Sequence, residues 1–171
     1  MNMMNDTIAA IATANATGAV SIIRISGEEA ILIASELINK DLSKKEGYTI
    51  TFGTVQEEND VVDEVLVSIF RAPKSYTGED VVEIGCHGGL FITRKILSLC
   101  LGKGARLARR GEFTERAFLN GKMDLSQAEG VNDLINATDE VNAKSAMHSL
   151  KGSVSKILKP LEEDLTQIIS N

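Results

Sequence analysis

Two charged residues stand in segments that are otherwise apolar. Arg24 lies within the run Val20–Ile25, and Glu83 lies between Val82 and Ile84. A charge in such a segment either faces solvent or is paired in a site, because burying an unpaired charge is costly. A cation and a carboxylate in equivalent settings favour a polar pocket. A carboxylate accepts paired hydrogen bonds and a cation holds an anionic or carbonyl oxygen, so the pattern predicts binding rather than hydrolysis.

The glycine-rich segment Gly85–Gly89 follows the Glu83 strand and precedes a helix. Free amides and the helix dipole favour an anion at such a point, although glycines also serve plain tight turns. The sequence Gly-Lys-Ser/Thr occurs nowhere, so P-loop hydrolysis of GTP or ATP is not expected of this chain. His87 could act as an acid or base, with a structural role as the alternative. The spacing supports no Ser–His–Asp or Cys–His constellation.

Charge is unevenly spread along the chain. The 171 residues carry a net charge of −6, and an acidic chain is a poor non-specific nucleic-acid binder. Between Arg94 and Lys122, however, eight Lys and Arg residues are opposed only by Glu112 and Glu115. This window predicts either a local basic face or a solvated surface of mixed sign.

The two cysteines, Cys86 and Cys100, lie in or beside apolar runs and are not in a CxxC spacing. They are expected to be reduced, small apolar residues of a cytosolic protein. With only His87 and His148 to join them, a zinc site is not expected. The N-terminus has no signal-peptide pattern and no apolar run is long enough to span a bilayer, so the sequence predicts a cytoplasmic protein.

The elements that would position these residues form a mixed pattern at first. After a short apolar run at 7–13, strands are predicted over 19–25, 48–56, 61–71 and 80–85. Asn59 and Asp60 turn between the second and third of these, which predicts antiparallel pairing. Ser26 and Glu29 have the spacing of a capping box for a helix to about Asn39, and another helix follows Gly89. The class is therefore α+β, with a mixed sheet.

From about residue 112 the pattern is helical. Ser126 and Glu129 predict a capping box for a helix to about Ala137. A last helix is expected from about Asp139, kinked at Pro160. Its apolar positions recur at steps of three and four, which predicts a seam that packs against another surface. These positions are Met147, Leu150, Val154, Ile157, Leu161, Leu165 and Ile168.

Several stretches together resemble one family. In chain order they are 6–10 (DTIAA), 23–27 (IRISG), 75–83 (SYTGEDVVE), 86–89 (CHGG), 110–122 (RGEFTERAFLNGK) and 124–129 (DLSQAE). They resemble the N-terminal part of the MnmE (TrmE) family of tRNA-modification GTPases. The resemblance covers nearly the whole chain, and the stretch from Arg110 is highly specific. One departure is the loop Ala14–Gly18, where the family commonly has a Pro- and Gly-rich loop.

The resemblance implies a fold and an organisation. The fold would resemble the tetrahydrofolate-binding domain of the glycine-cleavage T-protein. Residues 1–119 would be a folate-binding and dimerisation domain, and 120–171 the beginning of a helical domain. The G domain and the C-terminal part would be absent, so we expect no GTPase activity from this chain alone. GTP, Mg²⁺ and K⁺ would belong only to that G domain.

The resemblance also implies ligands and partners. Carried over residue by residue, the folate contacts fall on Arg24, Glu83 and Lys122. The ligand would be 5-formyltetrahydrofolate or a related tetrahydrofolate, and the protein would be a homodimer in the cytoplasm with no membrane association. With the flavoprotein MnmG (GidA), the family modifies carbon-5 of the wobble uridine in tRNA, and the basic window could help to dock that tRNA. The alternatives are an assembly module in which Arg24 and Glu83 form a structural ion pair, and a free-standing one-carbon transferase.

Overall fold

A computed structural model describes residues 6–58 and 60–152. The chain divides between Phe113 and Thr114 into two compact units. The first unit holds a sheet and two helices, and the described part of the second is helical. The α+β class is thereby confirmed. The division by function at residues 119 and 120 stays a prediction, because compactness alone assigns no function.

Six strands form one sheet in the order β3-β4-β5-β2-β1-β6. Their bounds are β1 Ile8–Ile11, β2 Val20–Ser26, β3 Thr49–Glu57, β4 Asp60–Phe70, β5 Val81–His87 and β6 Arg106–Leu107. All pairings are antiparallel except that of β1 with β6, which is parallel. Four of the strands lie within two residues of their predicted bounds. The short edge strand β6 was not predicted.

One face of the sheet carries the core. Helices α1 (Ala30–Leu37) and α2 (Leu90–Gly102) contribute to a cluster of buried apolar residues with the sheet. Ile23 and Ile25 of β2 belong to this cluster, as do Val82 and Ile84 of β5, all fully buried. Because successive side chains of a strand point to opposite faces, Arg24 and Glu83 must face the other side.

The opposite face carries two rows of residues that the strand register aligns. The first row runs Ala10, Arg24, Glu83, Ser68, Ile50, from β1 to β3. The second runs Ile22, Gly85, Leu66, Phe52, from β2 to β3. We call Ile50, Phe52 and Leu66, which are all exposed, the apolar strip. The strip and the two charged residues therefore share one face of the sheet.

The predicted capping box at Ser26 is wrong. Ser26 is the last residue of β2, and the helix begins at Ala30 with Glu29 as its N-cap and no side-chain cap. The Ser26 hydroxyl is fully buried and bonds Thr77 and Glu79 instead, at 2.7 and 2.6 Å. The local signal failed because a loop more than 50 residues away supplies the partners of this hydroxyl.

The described part of the second unit contains most of α3 (Glu112–Leu119), followed by α4 (Leu125–Ile135) and α5 (Glu140–Leu150). A capping box does open α4, but Asp124 and Gln127 form it rather than Ser126 and Glu129. The predicted helix near residue 125 is right, and the predicted cap lies two residues too far along. Asp124 prevails because its carboxylate accepts from the Gln127 amide at 2.8 Å, while the Gln127 side chain accepts from the Asp124 amide.

Helix α5 begins beside Asp139, as predicted. It ends at Leu150, and Gly152 has φ of +67°, so one continuous helix does not run past this point. A Cβ on Gly130 of α4 would lie 2.9 Å from the Leu150 amide nitrogen, so glycine is what allows the two helices to approach closely. The later seam positions, Val154 to Ile168, and Pro160 lie outside the described residues.

Candidate functional site

Arg24 and Glu83 lie directly opposite each other on β2 and β5. The guanidinium Nε and Nη2 lie 2.8 and 2.7 Å from the same carboxylate oxygen, Glu83 Oε1. The two side chains are 26% and 24% exposed, so the pair is neither sealed in the core nor free in solvent. The sheet register brings together the two residues that the sequence had separated by 59 positions.

The ion pair leaves part of each partner open. Among the described residues, Glu83 Oε2 and Arg24 Nη1 have no hydrogen-bond partner. A carboxylate oxygen accepts only, and a guanidinium nitrogen donates only. The pair therefore offers a ligand one acceptor and one donor.

Two aromatic rings flank the Arg24 guanidinium. Its central carbon lies 5.1 Å from the ring centroid of Tyr76 and 5.5 Å from that of Phe113. Both distances fit cation–π contacts, which orient a planar guanidinium and displace water from it. Sequence reasoning missed both residues, although each lies within a stretch that carried the family resemblance. Their scarcity was the available signal, since the chain has only two Tyr and five Phe.

Tyr76 is presented by the loop between β4 and β5. This loop contains a cis peptide bond before Pro73. Thr77 is fully buried and contacts the Ser26 hydroxyl, and Ala72 donates its amide to Asp80 at 2.8 Å. The loop is therefore anchored on both sides of Tyr76.

Lys122 lies in the second compact unit, between α3 and α4. Its amide donates to the Ala117 carbonyl at 2.8 Å, and Gly121 before it has φ of +68°. Of the three predicted folate contacts, the structure thus brings Arg24 and Glu83 together within the first unit. The part of Lys122 in a shared site stays a prediction.

His87 is held by Asp63 of β4. Its Nδ1 lies 2.6 Å from Asp63 Oδ1, and its amide donates to Asp63 Oδ2 at 2.9 Å. The next residue, Gly88, packs so closely that a Cβ would lie 2.5 Å from the Gly18 carbonyl oxygen. These contacts support the structural interpretation of His87 and the tight-turn interpretation of the glycine segment.

Much of the basic window is neutralised by nearby carboxylates. Lys95 pairs with Glu57 at 2.5 Å and Lys103 with Glu36 at 3.6 Å. Arg106 pairs with Glu112 at 2.6 Å. The geometry favours the interpretation of a surface of mixed sign over that of a continuous basic face.

Both cysteines are free thiols buried in the core, Cys86 on β5 and Cys100 on α2. Burial raises the pKa of Cys86, and it raises the pKa of Cys100 to about 12. A thiol with a raised pKa is mostly protonated at neutral pH and is a weak nucleophile and metal ligand. The prediction that they serve as apolar core residues agrees with these positions.

The fold and the charge pair define a class of protein, an α+β domain that carries a partly exposed ion pair on the face of its mixed sheet opposite the core. In the described residues no cluster of three or more His, Cys, Asp or Glu residues could hold a metal ion. No helix in that part of the chain has the length and apolar character needed to cross a membrane.

Comparison with known proteins identifies the family. The family model for the GTP-binding protein TrmE N-terminus matches residues 7–122, and the chain belongs to this family. The chain is 49% identical over 168 residues to the tRNA modification GTPase MnmE of Levilactobacillus brevis, covering 96% of this chain and 36% of that protein. It is 45% identical over 172 residues to the protein of the same name from Clostridioides difficile, covering 98% and 38%. The chain therefore spans little more than a third of the length of these relatives.

Proposed function

We propose that the first compact unit binds 5-formyltetrahydrofolate or a related tetrahydrofolate at Arg24 and Glu83. The observation that carries this is the partly open ion pair between two aromatic rings. A pterin ring presents an N–H donor next to a carbonyl acceptor on one edge. Glu83 Oε2 would accept from the ring N3–H, and Arg24 Nη1 would donate to the carbonyl. Lys122 remains a proposed folate contact on the family resemblance alone.

The surroundings of the pair support this ligand. The rings of Tyr76 and Phe113 displace water from the guanidinium, which strengthens the hydrogen bonds that it donates. The pair is also about a quarter exposed, so a ligand can reach it. A flat, partly apolar ring with a polar edge matches this combination.

We further propose that a second copy of this chain covers the apolar strip. Exposed apolar side chains that adjoin on one face commonly mark an interface, and a homodimer places the same patch on both partners. The strip lies in the same rows as Arg24 and Glu83, so a dimer of this kind would border the folate site. Phe52→Asp should shift the mass seen in light scattering from two chains of 18.4 kDa to one. Leu32→Asp, an exposed position on α1, is the matched control and should stay dimeric.

For the whole protein, we propose that this module serves a GTPase that modifies carbon-5 of the wobble uridine in tRNA, in the cytoplasm. The names of the relatives support the general activity. In this proposal the folate supplies a one-carbon unit, and MnmG is the flavoprotein partner. GTP, Mg²⁺ and K⁺ would act in a GTP-binding domain outside these 171 residues.

Titration calorimetry with 5-formyltetrahydrofolate tests the folate proposal. We expect measurable binding at protein concentrations near 100 μM, a scale that corresponds to about 5 kcal/mol. Glu83→Gln keeps the shape of the side chain and removes its charge, so it should abolish binding. Arg24→Lys keeps the charge and loses the planar fork, so it should weaken binding strongly. Absence of heat with the unchanged protein would exclude the proposal.

The alternative is an assembly module in which Arg24 and Glu83 form only a structural ion pair. The observed pairing of the two side chains favours this alternative as a second candidate. Measuring both the melting temperature and the folate affinity of Arg24→Lys and Glu83→Gln distinguishes the two candidates. A structural pair predicts that both variants melt early with folate binding little changed, whereas a binding pair predicts the reverse.

A further inference from the structure

The carboxylate of Glu112 is buried, with 2% of the residue exposed, yet it is charged and fully bonded. Its Oε1 accepts from Arg106 Nη2 at 2.6 Å. Its Oε2 accepts from Arg106 Nη1 at 3.1 Å and from the Arg109 amide at 2.6 Å. The remaining guanidinium nitrogen of Arg106, Nε, donates to Asp6 at 2.5 Å. We call Glu112 and Arg106 the carboxylate clamp.

The clamp fastens the start of α3 to the edge of the sheet. Arg106 lies on β6 and donates its amide to the Thr7 carbonyl at 2.8 Å, while the Ala108 amide donates to the Ala9 carbonyl at 3.0 Å. Ala9 lies in β1 and Thr7 directly precedes it, and β1 is also the neighbour of β2, with Ala10 of β1 opposite Arg24 of β2. The segment that ends at Glu112 is therefore tied to the strand beside Arg24.

Phe113 follows the clamp directly in the chain. The centroid of its ring lies 5.5 Å from the central carbon of the Arg24 guanidinium, and that of the Tyr76 ring lies 5.1 Å from the same carbon. Tyr76 is held separately, by the anchored loop between β4 and β5. Within the first unit, the clamp thus holds the residue that directly precedes the Phe113 ring.

We propose that Glu112 is a positioning residue of the folate site, which fixes the Phe113 ring on Arg24 through its bonds to Arg106 and the Arg109 amide. The ring in turn fixes the plane of the guanidinium and so the direction of its open Nη1. This inference rests on the proposed folate function for its effect on affinity. It does not rest on that function for its effect on the position of the ring.

A double-mutant cycle measures whether Glu112 acts through Phe113. Calorimetry with 5-formyltetrahydrofolate on the full chain should show that Glu112→Gln and Phe113→Ala each weaken binding about tenfold, the size of one cation–π contact near a partly desolvated guanidinium. The folate affinity of the double variant should equal that of whichever single variant has the lower affinity. Additive losses, about a hundredfold together, would overturn the proposal.

Asp6→Asn is the matched control. It removes the other carboxylate of Arg106 and leaves the bonds of Glu112 in place. Folate affinity should stay within about twofold of the unchanged protein, as expected for a partly exposed pair. A loss as large as that of Glu112→Gln would mean that general weakening of the edge, not the Glu112 bonds, changes the site.

A second measurement needs no ligand. The chain contains no tryptophan, so Phe113→Trp introduces a single indole at the ring position. Adding Glu112→Gln should shift its emission to longer wavelength, because the released ring meets more water. Unchanged emission would overturn the positioning role even if folate binds. If folate does not bind the unchanged protein, the folate proposal fails while this measurement still decides the role of Glu112.

Arg106→Lys covers the case in which Glu112→Gln does not fold. Lysine keeps the charge and loses the two-pronged contact with the carboxylate. In the Phe113→Trp background it should produce the same red shift. A folded Arg106→Lys protein with unshifted emission would contradict the proposal.

Discussion

The Arg24–Glu83 and Arg106–Glu112 pairs of the first compact unit are opposite in character. In the first pair, two nitrogens of Arg24 contact the same oxygen of Glu83, and both side chains are about a quarter exposed. This pair keeps one acceptor and one donor open. Glu112 is buried, and both of its oxygens are bonded by Arg106 and a backbone amide. The same residue types thus make an open pair suited to a ligand and a closed pair suited to holding the chain.

The difference follows from the number of hydrogen bonds and the depth of burial. Exposed pairs contribute little to stability, because water competes for both charges. A buried carboxylate depends on its partners, since the loss of one leaves polar groups without compensation. The comparison predicts that removing the closed pair mainly affects folding, and that removing the open pair mainly affects binding.

Glu112→Ala should produce the largest change. It removes three charge-assisted hydrogen bonds and leaves the Arg109 amide without its acceptor. We expect the free energy of unfolding to fall by about 4 kcal/mol, the range for breaking a buried pair. Urea denaturation followed by circular dichroism measures this loss. A loss below about 1 kcal/mol would remove the contrast between the two pairs.

Acid should cause the second largest loss of stability. Hydrogen bonds from Arg106 lower the pKa of Glu112 from 4.5 to about 2. The folded state therefore binds this proton more weakly than the unfolded state, so the stabilisation is fully present above about pH 4.5. It is lost as the pH falls through about 2, and it amounts to a contribution on the order of 3 kcal/mol. Acid titrations of unfolding should show this loss in the unchanged protein and a flatter curve for Glu112→Gln.

The open pair should have the smallest effect on stability. Arg24→Lys and Glu83→Gln should each change the free energy of unfolding by about 1 kcal/mol or less, because both side chains remain in contact with water. The same urea denaturation measures these values. A loss as large as that of Glu112→Ala would show that the pair is structural and would favour the assembly alternative.

Local sequence patterns were sufficient to predict most strands and helices of the first unit. The strands that carry Arg24 and Glu83 alternate or run apolar, and their predicted bounds agree with the structure within two residues. Local patterns failed where a partner is distant. Ser26 has the spacing of a helix cap, yet its hydroxyl bonds a loop more than 50 residues further along the chain. Strand β6 has only two residues, so only its pairing with β1 distinguishes it from a turn.

The candidate site was partly visible in the sequence. Arg24 and Glu83 stood out because charges are rare in apolar strands. Tyr76 lies in a loop and Phe113 at the start of α3, so no periodic pattern singled out either ring. Glu112 looked like one of two acidic residues in a basic window. Its burial depends on Arg106 and the Arg109 amide, whose positions follow from the pairing of β6 with β1.

The amino-acid sequence by itself determined the class of fold, the family and the two charged residues on the sheet face opposite the core, because these depend on composition, alternation and local motifs. Tertiary structure alone decided that Arg24 lies opposite Glu83, that two rings flank it and that Glu112 is buried. The physical reason is register. Which residues become neighbours across a sheet depends on how whole strands align, and that alignment is settled by burying one face of every strand at once.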